Sequence, residues 1–138
     1  MSVPVETIVQ CPVIPVLTIE DPDIGIALGR ALVAGGLSVL EITLRTPAAW
    51  EAATAMRESV SGALIGVGTV TTAEQMERAF ALSLDFAVSP GATTALLEAR
   101  SGLDIAWLPG ASTPSESMRL LDHGFTVQKL FPASSMGG

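Results

Sequence analysis

The chain carries one lysine, one cysteine, one histidine and no tyrosine. The single cysteine, Cys11, excludes an internal disulfide and fits a reducing, cytoplasmic setting. One histidine and one cysteine leave little with which to build a zinc site. Basic residues are also scarce: 7 against 14 acidic ones, a formal net charge of -7. Such a chain repels nucleic acid and anionic membrane surfaces, so neither is an expected partner. Long hydrophobic runs are missing as well. Pro, Gly or Arg30 interrupts each one before it reaches the ~20 residues that a membrane span needs. No basic stretch followed by an apolar one opens the chain, so no signal peptide is expected.

What is present is apolar. Of 138 residues, 49% are hydrophobic, enough for one core, and 1–138 reads as a single domain. Short apolar runs alternate with longer amphipathic ones. The pattern predicts strands over 13–19, 38–45, 64–70, 86–89, 105–108 and 125–131, with helices over 22–34, 47–59, 72–83, 93–100 and 114–123. Thr46-Pro47, Thr71-Thr72 and Thr113-Pro114 look like helix starts. Gly35 and Gly124 fall where helix C-terminal glycines belong. Alternating strands and helices argue for a parallel sheet covered by helices.

An open doubly wound sheet and a TIM (β/α)8 barrel both fit that order. The open sheet usually carries a glycine-rich phosphate loop after its first strand, and TIEDPDIG is not such a loop. Polar residues sit late in several different strands instead, which favours the barrel. Six strands and five helices fall short of eight units, so the barrel reads as incomplete, with its last two strands missing.

The lone lysine, Lys129, lies in the apolar run FTVQKLFPA. Alternation in LEITLRT puts Leu40, Ile42 and Leu44 on one face and Glu41, Thr43 and Arg45 on the other. The same rule puts Val127, Lys129 and Phe131 together. Strands two and six of an eight-stranded barrel are opposite, so with Lys129 turned inward Glu41 and Lys129 can meet across the lumen, directly or through water. Burial favours the neutral amine, which can attack a ketone and form a Schiff base. A nearby carboxylate can move protons during that chemistry. Arg45 suits a carboxylate or phosphate. The Thr69 hydroxyl can help hold the same anion, with Gly66 and Gly68 permitting its close approach.

Plainer readings stand beside these. Glu41 and Lys129 can be a buried ion pair that only fixes the fold. Arg45 can be solvated at a strand end, and Thr69 can be a β-former beside a helix start. His123 suits a helix C-terminus, Trp107 core volume, and Met56, Met76 and Met118 packing. Ser89 and Ser112 have no histidine beside them, which argues against a hydrolase triad.

The blocks VIPVLTI, ALVAGGLSVLEITLRTPAA, GVGTV, FAVSPG, LPGASTPSE and KLFPA, in this order and spacing, resemble the 2-keto-3-deoxy-6-phosphogluconate (KDPG) aldolases, also called KHG/KDPG aldolases. LEITLRT followed at this separation by KLFPA carries the resemblance. It implies a class I aldolase on a (β/α)8 barrel that cleaves KDPG, a small 2-keto acid phosphate, in the Entner–Doudoroff pathway. It also implies a homotrimer in the full-length form, and neither cofactor nor metal. Lys129 is then the Schiff-base lysine and Glu41 the general acid/base. Arg45 and Thr69 would hold the pyruvate carboxylate, and Pro90 and Phe131 would shape the pocket. Leu130 and Ser134 depart from the family's usual phenylalanine and glutamate. Ser83 stands where a glycine is common. The family's glycine-rich loop and serine that bind the substrate phosphate are not found. The galactonate epimer, 4-hydroxy-2-oxoglutarate and an inactive chain remain alternatives.

Overall fold

The computed structural model describes residues 2–138. Five strands, β1 (Val16–Leu17), β2 (Val39–Thr43), β3 (Leu64–Gly68), β4 (Phe86–Val88) and β5 (Ala106–Leu108), pair in parallel in chain order. A second parallel ladder joins β6 (Gly110–Ala111) to β7 (Lys129–Leu130). Helices α2 (Pro22–Ala34), α3 (Ala49–Ser59), α4 (Ala73–Ala81), α5 (Thr94–Ser101) and α6 (Pro114–Asp122) alternate with the strands. A four-residue helix, α1 (Val5–Ile8), precedes β1, and a 3-10 turn spans Ser134–Met136. The sheet is the wall of a (β/α) barrel, as expected. No helix among the described residues is long and apolar enough to cross a membrane.

The outermost strands are shorter than the sequence pattern predicts. Pro12 and Pro15 have no N–H to give a ladder, and only Val16 and Leu17 pair with β2. The predicted strand over 125–131 shrinks to Lys129–Leu130. Before it, the Gln128 side-chain amide donates to the Ser117 and Phe125 carbonyls, which holds the segment as a loop. At Pro109 the chain leaves one ladder for the other: β5 pairs with β4, and β6 pairs with β7.

Two apolar layers flank the sheet. Leu40, Ile42, Ile65, Val67, Ala87 and Trp107 point outward under the helices and join Met56, Met76, Leu96 and Leu120. Val39, Phe86, Val88, Ala106 and Leu108 point inward, where Ile8 of α1 joins them. The inner layer thus closes the N-terminal end of the curved sheet. Helix α2 lies against α3 through Gly25 and Gly29. A Cβ on Gly25 would stand 3.1 Å from the Met56 sulfur, and one on Gly29 would stand 3.0 Å from its methyl. Burying Met56 in this seam contributes about 1.5–3 kcal/mol.

The helix ends follow their sequence signals with one exception. Thr72 caps α4 in a reciprocal box with Gln75, and Thr113 caps α6 ahead of Pro114. Thr46-Pro47 does not start α3, which begins two residues later at Ala49 after an uncapped Ala48. The Thr46 hydroxyl donates to the Ile19 carbonyl instead and ties the β2–α3 turn to β1. Gly35 ends α2, but the left-handed residues are Gly36 (φ 94°) and, after α6, Gly124 (φ 86°). Met118 is not packing: its side chain is 64% exposed on α6.

Candidate active site

Strand β2 is buried along its whole length, yet it carries a glutamate. In-register pairing sets Glu41 beside Val16 on one side and Gly66 on the other. Its carboxylate lies where a side chain on Gly68 would be, so the two groups exclude each other. Gly66 is likewise occupied, by the Phe86 ring. The two glycines of GVG therefore make room for the protein's own side chains. This corrects the expectation that they open the site to a ligand.

Across the inner face, Lys129 Nζ stands 3.9 Å from Glu41 Oε1. The pair meets as side-chain parity on the two strands requires. The distance exceeds a hydrogen bond, and Glu41 Oε1 is buried with no hydrogen-bond partner. Burial raises the Glu41 carboxyl above its ordinary value, and the charges of Lys129 and Arg45 offset part of that rise. Lys129 is held from both sides. Its backbone N–H donates to the Pro109 carbonyl at 2.8 Å, and its ammonium lies 4.9 Å from the centre of the Phe131 ring. Its side chain is 28% exposed, against 6% for Glu41, so the amine looks out to the mouth and the carboxylate sits beneath it.

Arg45 is exposed in the turn after β2. The other five arginines are engaged. Arg57 pairs with Asp85, Arg78 covers Trp50, and Arg30, Arg100 and Arg119 donate to Ser59, Leu103 and Thr94. Arg45 alone has neither a hydrogen bond, an ion pair nor an aromatic ring contact among the described residues. Thr69, just past β3, has φ 62°. A β-branched residue in the left-handed region is strained, by of order 1–3 kcal/mol. The turn holds it there because the neighbouring Leu44 and Val70 N–H groups donate to Gly68 and Val88.

Pro90 and Phe131 line a cavity of about 540 Å³ together with Gly110, Leu96, Leu120 and Pro132. Neither Glu41 nor Lys129 borders it. The six residues singled out from the sequence thus divide between an inner pair with its rim and an adjoining apolar chamber. Phe131 stands in both, because its ring also meets Lys129. Gly110 permits this junction, since a Cβ there would strike the Pro90 carbonyl. Sequence reasoning missed Gly110 and Phe86; the signal for both lay in strand ends whose partners only the register reveals. The remaining polar residues have structural partners. Trp107 Nε1 donates to the buried Ser89 hydroxyl at 3.0 Å, and His123 Nδ1 lies 2.8 Å from the Arg119 carbonyl.

A lysine and a buried glutamate facing each other inside a parallel sheet wrapped by helices define a (β/α)-barrel protein with an amine–carboxylate site. The chain belongs to the KDPG and KHG aldolase family, whose model matches residues 5–138. It is 48% identical over 129 residues to the 2-dehydro-3-deoxy-phosphogluconate aldolase of Pseudoalteromonas atlantica, covering 94% of this chain and 60% of that one. The KDPG aldolase of Zymomonas mobilis, solved with 3-phosphoglycerate, superposes with a TM-score of 0.92 at 43% identity. The match covers 97% of this chain and 64% of that one. The KDPG aldolase of Legionella pneumophila, with pyruvate captured as a covalent carbinolamine, superposes with a TM-score of 0.90 at 41% identity. There the match covers 95% and 64%. The chain spans about 60% of the length of the curated relatives it matches.

Proposed function

We propose that this chain carries the Schiff-base centre of a class I aldolase that cleaves 2-keto-3-deoxy-6-phosphogluconate to pyruvate and glyceraldehyde 3-phosphate. The observation that carries the reading is the placement of the only lysine 3.9 Å from a buried carboxylate oxygen that has no hydrogen-bond partner. The covalent pyruvate adduct in the Legionella pneumophila relative supports it.

In this reading the Lys129 amine adds to the C2 carbonyl to give a carbinolamine, which loses water to become a protonated imine. Glu41, directly or through a water, takes the proton from the C4 hydroxyl. The C3–C4 bond breaks, its electron pair moves toward the iminium nitrogen, and the aldehyde departs. The enamine left behind takes a proton at C3. Addition of water then releases pyruvate and restores the free amine. The raised Glu41 value brings the carboxyl nearer the pH at which one group can both take and return a proton. Arg45 and Thr69 would hold the carboxylate next to C2, Arg45 through a free guanidinium fork. Pro90 and Phe131 would shape the pocket and influence its stereochemical choice. The sequence resemblance further supports a homotrimer in the cytoplasm, which sedimentation analysis and cell fractionation would test.

The direct test is incubation with pyruvate and borohydride, followed by peptide mapping. A reduced adduct on Lys129 is expected. An adduct on the N-terminal amine alone, or none, overturns the proposal.

A further inference from the structure

Thr18 and Thr43 form a hydroxyl pair on the inner face, one step beyond Glu41 toward the mouth. Pairing sets Val16 beside Glu41 and Leu17 beside Ile42. Leu17 and Ile19 pack outward with the helices. Alternation leaves Val16 and Thr18 on the face that carries Glu41. Thr43 Oγ1 lies 3.0 Å from the Leu17 carbonyl and 3.3 Å from Thr18 Oγ1. A carbonyl oxygen only accepts, so the single Thr43 hydroxyl proton goes to Leu17. Thr18 must therefore be the donor in its contact with Thr43. That fixes the polarity of the pair. Thr43 is fully buried, while Thr18 is exposed at the mouth with its proton already spent. The Thr18 oxygen offers only lone pairs to whatever enters.

The strand order gives that acceptor a place along a substrate. Thr69 follows β3, Glu41 lies on β2 and Thr18 follows β1, in sequence around one wall. The aldolase reading puts the keto acid's carboxylate at Thr69 and Arg45, and its C4 hydroxyl at Glu41. The carbon chain beyond C4 then continues on the far side of Glu41 from Thr69, toward Thr18. We infer that Thr18 is a specificity-determining residue that accepts a hydrogen bond from the C5 hydroxyl, the hydroxyl carried by the aldehyde product next to its carbonyl. The inference rests on the aldolase reading. Its ligand class is a 2-keto acid hydroxylated at both C4 and C5.

The test uses borohydride trapping on Lys129 with two probes: 4,5-dihydroxy-2-oxopentanoate, and 4-hydroxy-2-oxohexanoate, in which a methyl group replaces the C5 hydroxyl. Pyruvate is the control. The parent chain should reach half-maximal trapping at a lower concentration of the dihydroxy probe. In Thr18→Val that preference should fall by about threefold to tenfold, the effect of one neutral hydrogen bond. Thr18→Ser should keep it, and pyruvate trapping should be the same in all three chains. An unchanged preference in Thr18→Val overturns the inference while leaving the aldolase reading intact. So does an equal loss of pyruvate trapping, which would make Thr18 a purely structural residue. Absence of any Lys129 adduct with pyruvate in the parent chain would remove the aldolase reading, and this inference with it.

Discussion

Gly68 and Glu41 occupy each other's space: the carboxylate lies where a Gly68 side chain would begin. Gly68→Ala must displace Glu41 or shift β3, and overpacking of this kind costs about 1–3 kcal/mol. Urea unfolding should show the loss, and pyruvate trapping on Lys129 should fall with it. Adding Glu41→Ala should restore part of the stability but none of the trapping, because the two residues share one volume. Additive losses in the double variant would contradict the placement.

The pH dependence of stability should carry Glu41's signature. Its value is raised in the folded chain, so folding favours the protonated form. The resulting contribution is full below the ordinary glutamate value of 4.5. It disappears as pH rises through the raised value. Glu41→Gln does not titrate. The stability of the parent minus that of Glu41→Gln should therefore decrease across that window. Glu74, Asp104 and Glu116 are lowered by local hydrogen bonds, titrate alike in both chains and cancel. A difference that stays flat with pH would show that burial does not penalise the charge.

Arg45→Ala should separate binding from stability. The side chain is exposed and unpaired, so the unfolding midpoint should shift little, within roughly 0.5 kcal/mol. The pyruvate concentration for half-maximal trapping should rise about tenfold or more, as for the loss of a charged hydrogen bond. Arg57→Ala, which breaks the pair with Asp85, is the control and should leave trapping unchanged. Equal effects from both substitutions would make Arg45 a general source of positive field rather than a ligand-holding group.

Among the described residues two non-glycine residues have positive φ, Thr69 at 62° and Ser83 at 55°. Ser83 sits just past α4, at a helix end that suits glycine. Ser83→Gly should stabilise the chain by about 1 kcal/mol, from relief of that strain, with no effect on trapping. Thr69→Gly should relieve comparable strain but weaken pyruvate trapping, because the hydroxyl goes with it. Thermal unfolding and trapping, measured on the same samples, check both. If Thr69→Gly trapped pyruvate as well as the parent, Thr69 would have no part in holding the carboxylate.

Much of this arrangement could be read from β2 alone. Leu40 and Ile42 could only be core and Glu41 only inward, because alternation along a strand leaves no other choice. The same rule groups Lys129 with Val127 and Phe131, and the opposition of strands two and six in a barrel then sets that face toward Glu41. The interior helices were legible from periodicity and from threonine caps such as Thr113. What escaped was set by distant partners. Gly66 and Gly68 look like room for a bound anion until Phe86 and Glu41 are seen to fill it. Thr46 has the form of a cap but gives its hydroxyl proton to Ile19, far back in the chain. The lengths of β1 and β7 depend on which backbone groups their neighbours leave free, and local sequence does not encode that. Met118 satisfies helical periodicity, but no element packs above it.

The two faces of β2 divide labour: Leu40 and Ile42 pack outward under the helices, while inward-facing Glu41 stands at the candidate site. The consequence concerns which kinds of genetic change the strand can survive. Substitutions at Glu41 or Arg45 can alter the chemistry and leave the packing under the helices in place. An insertion or deletion of one residue within Val39–Thr43 would exchange the faces, because side-chain direction reverses at every step. Leucine and isoleucine would then line the site, and glutamate would be driven beneath α3. The reading frame of the strand is therefore more constrained than any of its letters.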